Sequence, residues 1–101
     1  MNFPTNEKCI VRTENAGVFF ATLAEFDPTT RTATLTNSRR LWRWEGAASL
    51  SQLATEGVKR PSGCKFTVTV PQMQVMQVIE VIPCTNEAVK NIESVPVWRM
   101  I

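Results

Sequence analysis

Apolar and β-branched segments separated by turn signals at short spacing define the first third of the chain as antiparallel hairpins. KCIVRT at 8–13 leads into ENAG, where Asn15, Ala16 and Gly17 make a hairpin turn. VFFATLAEF at 18–26 follows, rich in aromatic and β-branched residues and long enough for a bent strand. DPTT then supplies a turn whose proline presets the backbone angle, and RTATLT at 31–36 alternates as the return strand.

Beyond residue 36 the pattern predicts further strands and two helices. Asn37 and Ser38 read as a turn, so RRLWRW at 39–44 starts a fourth strand. Ala47, Leu50, Leu53 and Ala54 recur at helical spacing, predicting a helix over 47–56 that opens after Gly46 and closes at Gly57. CKFTVTV alternates as a strand, Pro71 interrupts it, and MQVMQVIEVI reads as an apolar, central strand. Thr85 caps a second helix, NEAVKNIES, Pro96 ends it, and VWRMI adds a last strand. The expected fold is α+β: a single small domain over residues 1–101, with a mainly antiparallel curved sheet and two short helices.

A content of 44% apolar residues lets a chain of this length bury one core. No apolar run approaches the roughly 20 residues that cross a bilayer. The start MNFPTNEKC also lacks the features of a signal peptide, so a cytosolic protein without membrane partners is expected. Cys9, Cys64 and Cys84 are odd in number and widely spaced, which suggests buried thiols and neither a disulfide framework nor a metal site. With no histidine there is no ready general base, and neither catalytic residues nor a cofactor are expected.

The net charge of +2 is unevenly spread: residues 31–60 carry six basic and two acidic side chains. RRLWRWEGAASLSQLA, at its centre, has a structural and a functional interpretation. In the structural one Trp42 and Trp44 are core, Arg40 stacks on one of them, and Glu45 or Glu56 pairs with Arg43 or Arg39. In the functional one, strand alternation puts Arg40, Trp42 and Trp44 on one face and Arg39, Leu41, Arg43 and Glu45 on the other. A helix opening at Gly46 would then present free backbone amides beside small Ala47 and Ala48, an anion site. Guanidiniums would take phosphate oxygens, an indole would stack on a base, and Ser49 and Ser51 would bond a sugar or base edge. The ligand-binding candidates are therefore Arg39, Arg40, Trp42, Arg43, Trp44, Gly46, Ala47, Ser49 and Ser51.

The segments VRTENAGVFFATL, NSRRLWRWEGAASLSQLATEGVKRPSGCKF and EVIPCTNEAVKNIESVPVW resemble a family of small phage and prophage proteins that is a domain of unknown function. That resemblance implies a phage accessory protein acting in the bacterial host cytosol. Joined to the arginine–tryptophan block, it leads to an expected non-enzymatic protein that sequesters a phosphorylated, nucleotide-like small molecule, a signal of host defence, from a homo-oligomer. The alternative is a protein–protein module, an inhibitor of a host protein or a minor virion component, with the tryptophans and arginines as anchors. A single-strand nucleic-acid binder ranks third, because the basic cluster is local and the pI is only about 8.6.

Overall fold

A glycine at positive φ and an aspartate that bonds its own turn are what fold the first hairpins. In the computed structural model, which describes residues 3–100, β1 (Lys8–Thr13) and β2 (Val18–Asp27) meet through a turn in which Gly17 has φ +109°. The Thr13 hydroxyl donates to Gly17 O and accepts from the Ala16 N–H. At the next corner Asp27 Oδ1 accepts from the Thr29 N–H at 2.9 Å, the side-chain turn expected of DPTT.

The next strand runs further than the sequence suggests. β3 spans Thr32–Arg43 without a break, so the expected third and fourth strands are one. Asn37, expected as a turn residue, does adopt the left-handed conformation (φ +49°), but as a bulge inside the strand. Phe20 pairs with Arg39 and Thr22 with Thr36, so β3 carries one extra residue there and its side-chain alternation flips. Ala33 and Leu35 consequently face one side of the sheet and Arg39 and Leu41 the other.

Two helices follow in chain order, α1 (Leu50–Glu56) before β4 (Lys65–Val75) and α2 (Asn86–Ser94) after β5 (Val78–Pro83). The sheet order is β4-β3-β2-β1-β5, antiparallel throughout. Pro71 does not end its strand: β4 is an edge strand, where a missing N–H costs no ladder bond. MQVMQVIEVI is not a central strand either. It breaks at Met76 and Gln77 (φ +60°), its halves lying on opposite edges. VWRMI contributes a single parallel bridge, Val97 to Phe66, and its Ile101 lies outside the described residues.

Two residues cannot connect opposite edges of a flat sheet, so the sheet must curl until β4 and β5 meet at one corner. The Val78 N–H donating to Arg31 O at 3.0 Å fastens that corner. The concave side encloses an inner core of Cys9, Val11, Phe19, Ala21, Leu23, Ala33, Leu35, Val75 and Val78, drawn from all five strands. The convex side is covered by both helices over Ile10, Phe20, Leu41, Leu53, Ala54, Phe66, Ala88 and Ile92. The domain is α+β, mostly sheet. Cys9 and Cys64 are buried as expected, Cys84 only half so; desolvation pushes the thiols of Cys9 and Cys84 up, to about 11 and about 12. Met73 packs on the inner core, but Met76 and Met100 are exposed.

Arg39 joins the sheet to α2. Only 5% exposed, it spends its donors on main-chain carbonyls: Nε to Thr67 O at 3.0 Å, Nη1 to Ile92 O at 2.9 Å, and Nη2 to Val95 O at 2.6 Å. Ile92 and Val95 belong to the C-terminal end of α2, where carbonyls lack helical partners and the helix dipole favours a cation. Phe66 lies beneath, 5.4 Å from ring centroid to guanidinium carbon. Desolvation lowers the pKa of Arg39, as expected for a charge held away from water.

Replacing Arg39 with methionine removes a buried charge's hydrogen bonds to Thr67, Ile92 and Val95 and is expected to cost about 3 kcal/mol or more in chemical denaturation. Arg40→Ala, on an exposed neighbour, should cost no more than about 1 kcal/mol. Ser38 is fully buried and its hydroxyl is without a hydrogen-bond partner. Ser38→Ala should therefore leave stability unchanged or raise it by up to about 1 kcal/mol in the same measurement.

Candidate functional site

The amides at the start of α1 are not free. Ser49, and not Gly46, is the N-cap residue: its Oγ accepts from the Gln52 N–H at 3.1 Å. Gln52 Oε1 reaches back to the Ala48 N–H at 2.7 Å. Ser-x-x-Gln is a capping-box spacing, and a hydroxyl acceptor displaces glycine as the cap because it satisfies a donor that glycine leaves bare. The helix therefore begins at Leu50, three residues later than expected, and the predicted anion cradle is filled by the chain's own side chains.

Gly46 has another structural reason. With φ +88° it lies where the loop after β3 crosses residues 59 and 60, and a Cβ built there would sit 2.5 Å from Lys59 N. The Lys59 N–H donates to Gly46 O at 3.3 Å, closing the crossing. Ala47 and Trp44 are half-buried against the helix-side core.

The expected shared face of Arg40, Trp42 and Trp44 does not form. Arg40 lies over the Phe19 ring at 4.9 Å, on the inner-core side, whereas Trp44 packs on the helix side. A second irregularity causes the difference: Leu41 pairs with Phe66 but Arg43 with Lys65, leaving Trp42 as an extra residue that breaks the alternation. Arg39 is the buried tie between sheet and α2. Ser49 is engaged as a cap and Ser51 is exposed on α1. Of the nine candidates, Arg40, Trp42 and Arg43 are the ones exposed on β3.

The strand residue paired with Arg43 brings in a distant part of the chain. The Trp98 N–H donates to Phe66 O at 2.9 Å, which seats the C-terminal segment against the end of β4. Lys65 Nζ then lies 5.2 Å from the Trp98 ring centroid, and Lys65 is the register partner of Arg43. Arg43 in turn pairs with Glu45 at 3.1 Å, one of the two acidic partners expected. This end of the sheet thus carries two solvent-facing indoles, Trp42 at 65% and Trp98 at 46% exposure, with Val68 and Val97 also exposed. Nothing in the local pattern around Trp98 announces its place beside the arginine–tryptophan block. The Val97–Phe66 bridge, which sets it, spans most of the second half of the chain.

The clefts nearest the buried charge lie elsewhere among the described residues. One, of about 300 Å³, is lined by Lys8, Phe20, Asn37, Arg39, Thr69, Glu93, Val95 and Val97. Its charged members other than Arg39 are a long ion pair, Lys8 Nζ to Glu93 Oε2 at 3.9 Å. In sequence Lys8, Phe20 and Thr69 are simply strand residues. Among the described residues no helix is long and apolar enough to cross a membrane.

No curated protein and no solved structure matches this chain. A family model does, over residues 6–92, a span that includes both hairpins, the arginine–tryptophan block, Ser49 and nearly all of α2. The chain therefore belongs to the family described as Domain of unknown function (DUF6948).

Proposed function

We propose that this chain is a non-enzymatic binding module that docks a partner protein on the end of the sheet around Trp42. The observation that carries this is Trp42 itself, left 65% exposed although an indole is among the side chains whose burial stabilises most. Tryptophan and arginine are the residues that most often anchor protein interfaces, and Trp98, Val68 and Val97 are further apolar side chains exposed on β4, the strand paired with β3, and on the C-terminal segment bridged to it.

The local charges favour a protein over a polyanion. Arg43 is paired with Glu45 and Lys65 lies over Trp98, so two of the cations beside the indoles already have partners. Binding to a nucleic-acid backbone draws on several unpaired cations in a row. A phosphorylated small molecule has less support than the sequence suggests, since Ser49 and Gln52 occupy the helix-start amides intended for it. The resemblance to phage and prophage proteins makes a protein of the bacterial host cytosol the natural partner. Association of this chain with itself through the same face is the homo-oligomeric form of the proposal.

The test is affinity isolation from bacterial lysate, followed by titration of any retained protein against wild type and Trp42→Ala. A single stoichiometric partner should bind wild type, and Trp42→Ala should weaken it by about tenfold or more at an unchanged melting temperature. Equal binding by the variant contradicts the proposal. So does binding to oligonucleotides that grows with their length and collapses with salt.

A further inference from the structure

We propose that the cleft between Lys8 and Arg39 binds a small monocarboxylate with an apolar body. Among the described residues Arg39 is a buried charge with no carboxylate partner: every hydrogen bond it makes there goes to a main-chain carbonyl. A guanidinium has five N–H donors. Four are used, one at 3.5 Å from Phe66 O, and the second hydrogen on Nη1 has no acceptor among the described residues. Arg39 lines the cleft, so a guanidinium with one unclaimed donor, its charge balanced only by carbonyl dipoles, borders a concave site.

The second cation is close by. Lys8 Nζ lies 5.2 Å from the Phe20 ring centroid and is held only loosely by Glu93. With Glu93 counted against the two cations, one positive charge remains, which matches a monoanion better than a phosphate dianion. Phe20 and Val95 supply apolar surface for the body of such a ligand, and Thr69 can bond the second carboxylate oxygen. The Glu93 carboxylate holds the position on Lys8 that the ligand would take. Both a free acid and the C-terminus of a peptide present this chemistry.

Nitrogen-15 NMR titration with 3-phenylpropionate, up to about 10 mM, tests the site. Saturable shifts are expected at Phe20, Asn37, Thr69 and the Arg39 Nε–H, with none from 3-phenylpropionamide. Glu93→Gln, at an exposed position, should tighten binding several-fold by removing the internal competitor. Lys8→Met, which keeps the stem over Phe20, should weaken it by about tenfold. A short peptide ending in free phenylalanine, compared with its C-terminal amide, separates the two sources: tighter binding than phenylpropionate marks a chain end, weaker binding a free acid. Absence of saturable shifts, equal shifts from the amide, tighter binding of inorganic phosphate, or an affinity unaltered by Glu93→Gln would each overturn the proposal.

Discussion

The guanidinium of Arg39 ties together by hydrogen bonds three parts of this fold that also share the helix-side core. Its Nε bonds β4 at Thr67, its Nη atoms bond the end of α2 at Ile92 and Val95, and its own backbone is paired with Phe20 in β2. A neutral side chain there could not satisfy so many carbonyls at once. A carboxylate partner is unnecessary, because the carbonyls at the C-terminal end of α2 supply negative potential. The tie also sets the course of the C-terminal segment: Val97, two residues beyond Val95, bridges to Phe66, and Trp98 is delivered to the surface beside Lys65.

Arg39 could not reach the helix side without the bulge at Asn37. Strict alternation from Ala33 and Leu35 would aim residue 39 into the concave interior. The extra residue reverses the faces, so one strand serves both cores: Ala33 and Leu35 inside the curl, Arg39 and Leu41 beneath the helices. The second irregularity, at Trp42, repeats the effect at the end of the strand. It sends Trp44 to the helix-side core and leaves Trp42 in water.

Features decided by neighbours in sequence are legible in it, and features decided by distant backbone are not. Both hairpins of the first third, the α2 span and its Thr85 cap follow from local turn and capping chemistry, and the Thr85 hydroxyl does accept from the Ala88 N–H. Asn37 reads as a turn residue, but its left-handed conformation serves a turn or a bulge equally, and strand pairing chooses between them. Pro71 reads as a strand breaker because edge position is a property of the sheet and not of the segment. The start of α1 is displaced from its expected place although Ser49 and Gln52 carry the signal, since glycine is also an acceptable cap. Arg39 is the hardest to foresee. Its helix partners lie 53 and 56 residues away and are main-chain carbonyls, which no side-chain pattern announces.

The same division explains the fate of the candidate site. A block that looks like one constellation in sequence is distributed by two bulges among a buried tie, a core indole, a loop crossing and an exposed indole. Function is then sought where exposure has no structural reason, at Trp42 and its neighbours, and where charge lacks a partner, at Arg39. All of this depends on the Arg39 guanidinium being locked in its carbonyl cage, which hydrogen exchange of arginine side chains by NMR measures directly. Arg39 guanidinium protons are expected to be resolved and protected like the slowest core amides, while Arg40, Arg43 and Arg60 exchange as freely as arginine in an unfolded peptide. Arg39 protons averaged by rotation and exchanging as fast as those three would contradict that locking.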